Sequence, residues 1–261
     1  MDFKNQVEAI KELRSLASSC KQAILIHGES GCGKTYLAQM YHRFVCSNQF
    51  IQIGNTMQDI RDFIANAFDI SERTTVCIEN IDAGTDGVSQ AILKILEEPP
   101  KNIYIVITAR NVKKIPVTIL SRCNEVYVSH FRFDDLMFYA KNQYGLKAES
   151  MRDDIKVLCK NPNDIDFIMN LQQQDFEYLK NVASIINEKT PVATASWKLQ
   201  SFHSGSKIPI QMLIRSLYNS VPNDLKRLVI QYESDIDSGI PNHVIVSAIA
   251  FILKVGMYGW W

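Results

Sequence analysis

The sequence has no excess of either charge: Lys plus Arg number 28 and Asp plus Glu number 28. Bulk electrostatics therefore neither demand nor forbid a nucleic-acid partner, and any DNA contact has to come from a local basic patch. The six cysteines, Cys20, Cys32, Cys46, Cys77, Cys123 and Cys159, include no Cys-x-x-Cys pair, which argues against structural zinc. Two of them fall in predicted strand or phosphate-loop positions, as expected of reduced thiols in the cytosol. The first six residues are too polar for a secretory signal. The longest late apolar run, residues 244–255, is broken by Ser247 and Lys254 and is too short to span a bilayer. Internal repeats and low-complexity tracts are lacking as well. These absences predict a soluble, cytoplasmic protein without a membrane partner. What the chain does have is apolar material, 46% hydrophobic and 10% aromatic over 261 residues. That is enough for two or three compact units and too much for disorder.

One stretch organises the rest. Gly28-Glu29-Ser30-Gly31-Cys32-Gly33-Lys34-Thr35 follows the apolar run Ala23-Ile24-Leu25-Ile26 and precedes a segment with helical spacing. It meets the phosphate-loop pattern at every fixed position, in the strand-to-helix context the pattern requires. Its glycines let successive N–H groups turn inward as a nest for anionic oxygens, and the following helix adds its positive end. Lys34 can reach the outer phosphates, and Thr35 can ligate Mg²⁺. The pattern predicts a nucleoside triphosphate site.

Read in order, residues 6–18 predict an amphipathic helix, with Val7, Ile10, Leu13 and Leu16 recurring every three residues. Strands are predicted at 23–27, 50–54, 75–79, 103–108 and 125–128. Helices are predicted between them at about 36–45, 59–68, 89–98 and 116–120. The helix at 89–98 is stopped by Pro99-Pro100. Short apolar strands alternating with helices predict a five-stranded parallel sheet covered on both faces. After Phe131 the strand signals fade. Helices at 133–144, 150–159 and 163–171 predict a small lid, and those at 176–187, 209–219, 222–234 and 242–258 a further helical part. Residues 201–206 read as a loop. The fold class is α/β followed by all-α, divided as 1–131, 132–174 and 175–261.

In phosphate-loop ATPases an acid at the end of the third strand holds Mg²⁺, and in one branch the next residue is a Glu that polarises the attacking water. Here those positions are Glu79 and Asn80, with Asp82 two residues on. Glu79 can serve the metal. Asn80 can orient a water but cannot take its proton. Glu79, Asp82 or a neighbouring subunit remain as sources of a base.

Two further stretches, Ala91-Ile92-Leu93-Lys94-Ile95-Leu96-Glu97-Glu98-Pro99-Pro100 and Ile115-Pro116-Val117-Thr118-Ile119-Leu120-Ser121-Arg122-Cys123, resemble the clamp-loader branch of the AAA+ ATPases. The relatives implied are the gamma/tau and delta-prime subunits of bacterial DNA polymerase III and the small subunits of replication factor C. The Glu-Asn-Ile-Asp run is more delta-prime-like, the intact phosphate loop more gamma-like. The resemblance covers residues 20–130 and implies a AAA+ domain, a helical lid and a C-terminal collar that oligomerises a ring, pentameric in the family. It implies ATP and Mg²⁺ as cofactors, and Arg122 as an arginine finger reaching a neighbour's ATP, a role suited to a forked, permanent cation. The polar sensor at the end of the fourth strand falls near Arg110 and Asn111. Arg110 departs from the usual Asn or Thr, so Asn111 or Thr108 would substitute. The arginine of the lid's third helix is missing from Asn161-Pro162-Asn163-Asp164-Ile165-Asp166, and so is the family's zinc insertion. The compact form suggests a phage-encoded or divergent member working in the host cytoplasm.

The partners implied are other loader subunits, a sliding clamp and primer–template DNA. Ile60, Phe63, Ile64 and Phe68 would share one helical face, serving either as clamp contact or as plain core. Lys94, Arg110, Lys113 and Lys114 would either contact DNA phosphates or form a solvated surface. The aromatic stretch Gly256-Met257-Tyr258-Gly259-Trp260-Trp261 would meet another subunit or fold back on the collar. Three readings of function follow. The first is a loader ATPase subunit that opens a clamp and places it on primed DNA. The second is a non-hydrolysing, delta-prime-like structural subunit, favoured by Asn80 and the missing lid arginine. The third is a AAA+ helicase loader or initiator, which leaves the Ser-Arg-Cys triplet unexplained.

Overall fold

A computed structural model of the chain describes residues 3–180, 191–206, 208–218, 221, 223, 226–237 and 240–258. It forms two compact units, Met1–Asp135 and Leu136–Trp261. In the first, helix α1 (Lys4–Ser18) leads into β1 (Ala23–His27), and the phosphate loop connects β1 to α2 (Lys34–Phe44). Then come β2 (Gln49–Ile53), α3 (Met57–Asn66), β3 (Thr74–Ile78), α4 (Asp86–Glu97), β4 (Ile103–Ala109), α5 (Val117–Leu120) and β5 (Asn124–Tyr127). The strands pair in the order β2-β3-β4-β1-β5, and every pairing is parallel. This is the α/β sheet that the apolar runs predict.

Both faces of the sheet are covered because successive side chains alternate sides. Ile103, Ile105 and Ile107 of β4 enter one core with Ile60 and Phe63 of α3, Ile92 and Ile95 of α4 and Ile119 of α5. Tyr104 and Val106 point the other way, into a core with Ala9, Ile10 and Leu13 of α1 and Leu37, Ala38 and Tyr41 of α2. The strand order reverses beside β1, so the β1–α2 loop opens at the switch point of the sheet, where α/β folds place their ligands.

The expected stripe on α3 is divided. Ile60 and Phe63 are buried, whereas Phe68 is 69% exposed. The α-helix ends at Asn66, and the chain tightens into a 3₁₀ turn over Ala67–Asp69. The change of pitch swings Phe68 off the face it would otherwise share.

In the second unit the helices are α6 (Phe133–Tyr144, which begins in the first), α7 (Leu146–Ser150), α8 (Arg152–Leu158), α9 (Pro162–Asn170), α10 (Gln173–Lys180), α11 (Val192–Ser206), α12 (Ile210–Leu217), α13 (Lys226–Asp237) and α14 (Asn242–Tyr258). The helix expected over 150–159 is interrupted at Met151, between α7 and α8. The loop expected at 201–206 is instead the last part of α11. Gly205 and the serines around it cost about 1 kcal/mol or less each in a helix, which the burial of Ala195 and Leu199 in the same helix can offset. The end of the expected helix at 176–187 and the aromatics at 259–261 lie outside the described residues.

Arg215 of α12 ties the second unit together. Its guanidinium donates to Glu233 Oε1 on α13 at 2.7 Å, to Asp164 Oδ2 on α9 at 2.7 Å and to the Leu158 carbonyl at 2.8 Å. These bonds cross the boundary near 175 that the sequence reading places between two helical parts. No described helix is long and apolar enough to cross a membrane.

Candidate functional site

The conformation of the phosphate loop depends on its glycines. Gly31 and Gly33 take φ values of 77° and 95°, a left-handed region that costs other residues energy. A Cβ on Gly28 would lie 2.2 Å from the Val128 carbonyl oxygen, and one on Gly33 would lie 2.2 Å from Gln6 Nε2. The loop is thus clamped between the chain after β5 and the start of α1, where Gln6 Nε2 donates to the Cys32 carbonyl at 3.1 Å. Gln6 is buried and outside any motif, so sequence reasoning missed it. Burial pushes the Cys32 thiol above its ordinary pKa, against the pull of Lys34, so the thiol adds no negative charge to the nest.

Lys34 is 8% exposed, and its ammonium donates to the Gly28 and Glu29 carbonyls at 2.8 and 2.7 Å. Beside it, Thr35 Oγ1 donates to Glu79 Oε1 at 2.9 Å. The phosphate loop and the end of β3, 44 residues apart in sequence, thus place a hydroxyl and a carboxylate side by side. Two hard oxygen donors next to an ammonium-bearing anion nest suit a Mg²⁺–triphosphate. At the end of β1, burial holds the His27 imidazole below its ordinary pKa; Glu125, 3.8 Å away, opposes the shift and Lys34 adds to it.

Asn80 has φ 49° and ψ 52°. Asn tolerates this left-handed geometry better than most residues with a side chain, which gives its presence in place of Glu a backbone reason. Its N–H donates to Thr108 Oγ1 at 3.0 Å, and its carbonyl accepts from Asn55 Nδ2 at 2.8 Å. Asn55 follows Gly54 in a loop and carries no sequence signal. Of the residues weighed for the sensor at the end of β4, Thr108 is therefore the one bonded to β3's end. Asn111 Oδ1 accepts from Lys113 N at 3.0 Å, closing a short turn over Val112–Lys114.

Asp82 has a structural task. Oδ1 accepts from Arg110 N at 3.0 Å and Oδ2 from Asn111 N at 3.1 Å, which pins the chain leaving β4. Both oxygens are occupied, a poor arrangement for the general base that the sequence reading left open. Asp82→Asn exchanges one of these acceptors for a donor facing an N–H. It is expected to destabilise the protein by about 1–3 kcal/mol in a denaturant titration while ATP affinity changes less than about threefold. A base would instead lose turnover with stability intact.

Arg122, at the end of α5, is held away from these groups. Its Nη2 meets Glu97 Oε1 at 2.8 Å, and its Nη1 donates to the Thr118 carbonyl at 2.8 Å. Lys94, Lys113 and Lys114 are exposed and Arg110 is half-buried.

A phosphate loop on β1, an acid ending β3 and a polar residue ending β4, on a 2-3-4-1-5 sheet followed by helices, define a AAA+ nucleotide-binding unit. Residues 47–132 match the family model described as DNA polymerase III, delta subunit; residues 2–61 match that of the sigma-54 interaction domain. The chain is 26% identical over 118 residues to DNA polymerase III subunit gamma of Buchnera aphidicola subsp. Schizaphis graminum, covering 42% of this chain and 32% of that subunit. The chain thus spans about a third of that relative's length. Among solved structures, a DNA polymerase III gamma subunit-related protein from Thermotoga maritima has a similar fold. Its TM-score is 0.54 at 17% identity, over 95% of this chain and 99% of that one. A mutant of Thermotoga maritima RuvB gives 0.52 at 12% identity, over 95% and 83%. Sequence and fold together make this unit similar to DNA polymerase III clamp-loader subunits and to AAA+ folds.

Proposed function

We propose that the chain is an ATP-binding subunit of a clamp loader. It would act in a ring with other subunits, opening a sliding clamp and placing it on primed DNA. The observation that carries this reading is the Thr35–Glu79 hydrogen bond of 2.9 Å, which brings together the two side chains that would hold the metal of a bound triphosphate. Loop N–H groups and Lys34 would bind the phosphates of ATP, Thr35 and Glu79 would hold Mg²⁺, and Asn80 with Thr108 would orient a water. Bound magnesium supplies charge neutralisation on the phosphates. Arg122 would reach the nucleotide of a neighbouring subunit. In this reading residues 132–174 act as the lid and 175–261 as the collar, and Lys94, Lys113 and Lys114 meet DNA phosphates. ATP would favour the loading-competent ring by bridging two subunits.

A second reading, a structural subunit that keeps its nucleotide, is favoured by the end of β3. Glu79 is bonded to Thr35, Asp82 is occupied by two backbone N–H groups, and Asn80 has no proton-accepting carboxylate.

The test is steady-state ATP hydrolysis by the full chain with its co-encoded partners, clamp and primed DNA. Turnover that rises with clamp and DNA and falls at least about tenfold in Lys34→Ala and in Arg122→Ala is the expected result. Nucleotide bound with turnover never above the Lys34→Ala control would replace it with the structural reading. Stimulation by a helicase in place of a clamp would assign the chain to helicase loading.

A further inference from the structure

Glu97 and Arg122 belong to two motifs that the sequence leaves unconnected, yet the structure joins them. Pro99 and Pro100 prevent α4 from continuing, so the helix ends at Glu97. The turn after α5 then brings Arg122 Nη2 to 2.8 Å from Glu97 Oε1. On the other side, Nη1 donates to the Thr118 carbonyl at 2.8 Å and lies 3.5 Å from Ser121 Oγ. The Thr118 carbonyl belongs to the last turn of α5, where a basic side chain can satisfy carbonyls the helix leaves open. The guanidinium is thus held on two sides, while its Nε–H has no partner among the described residues.

We propose that Glu97 is a positioning residue for Arg122, fixing the guanidinium so that its remaining donors face a phosphate carried by a neighbouring subunit. The proposal rests on Arg122 acting in trans. The alternative function of the contact would be a restraint that withholds Arg122 from phosphate. Exposure decides between them: the Arg122 side chain is 33% exposed and that of Glu97 53%. A pair this open to water shifts an equilibrium by about fivefold at most, too little to withhold an arginine from a triphosphate, whose charge-assisted, forked bonds are stronger. The same weak pair suffices to select one rotamer of a long side chain.

Two measurements test this. In the isolated full chain, the rate at which phenylglyoxal modifies Arg122, mapped by peptide mass spectrometry, is expected to rise severalfold in Glu97→Ala and less in Glu97→Gln, whose amide oxygen still accepts. In the assembled complex with clamp and primed DNA, Glu97→Ala is expected to lower kcat about two- to fivefold with KM for ATP unchanged. Glu97→Gln should fall between it and the parent, and Glu97→Ala added to Arg122→Ala should change nothing further, because the two act as one unit. Turnover in Glu97→Ala equal to or above the parent overturns the positioning role, as does an unchanged phenylglyoxal rate. A parent complex without turnover, or one indifferent to Arg122→Ala, removes the trans finger itself and the role of Glu97 with it.

Discussion

Lys34→Ala is expected to weaken ATP binding by at least about 100-fold, because each hydrogen bond from a charged donor to phosphate contributes about 1.5–3 kcal/mol and a lysine at this position supplies two or more. The structure explains why no other group replaces it. Lys34 is 8% exposed, and its ammonium sits at the loop, 2.8 Å from the Gly28 carbonyl and 2.7 Å from that of Glu29. Burial holds the neighbouring His27 imidazole below its ordinary pKa, so it does not supply a replacement cation near pH 7. Lys34→Arg is expected to lose most of the affinity as well, since a planar fork cannot occupy the space of a compact ammonium. Titration with a fluorescent ATP analogue reads both variants, with circular dichroism to confirm that they fold. A dissociation constant for Lys34→Ala within about threefold of the parent would remove the phosphate-loop assignment.

The second large effect concerns stability. Arg215→Ala is expected to cost about 3–5 kcal/mol, as breaking a buried ion-pair network leaves its carboxylates charged without their shared cation. Only 12% of the Arg215 side chain is exposed, against 17% for Asp164 and 15% for Glu233. Among the described residues, removal of the guanidinium would leave Asp164 with only the Lys160 N–H, leave Glu233 with only the exposed Lys160 ammonium, and orphan the Leu158 carbonyl it now satisfies. For a unit of this size the loss corresponds to a fall in melting temperature of roughly 10 °C or more. Arg215→Met combined with Asp164→Asn and Glu233→Gln is expected to regain a large part of it, because the carboxylate charges go with the cation. Calorimetry of the three proteins checks the ordering. Equal melting temperatures for Arg215→Ala and the parent would show that water reaches the network freely.

The sequence by itself determined the sheet and the phosphate-loop turn at its edge. Strands such as 103–108 are short, β-branched and apolar on both sides, a pattern that only a two-faced core can bury. The phosphate loop was legible because its glycines and Lys34 are dictated locally, by backbone geometry and charge. Glu79 was legible because it ends an apolar strand. The tertiary structure decided what depends on distant approach. Glu97 meets Arg122 across 25 residues, Asn55 meets Asn80 across 25, and Gln6 meets Cys32 across 26. None of these pairs has a periodicity for a sequence to display. The same holds for Asp82, whose carboxylate looked available until the chain leaving β4 folded onto it. In the helical part, α11 escaped notice because Ser, Thr and Gly weaken the local pattern, and packing supplies what propensity lacks. Local rules fix what each segment prefers, whereas a side chain's partner is set by how the segments pack, and there the partners of Asp82 and Arg122 were decided.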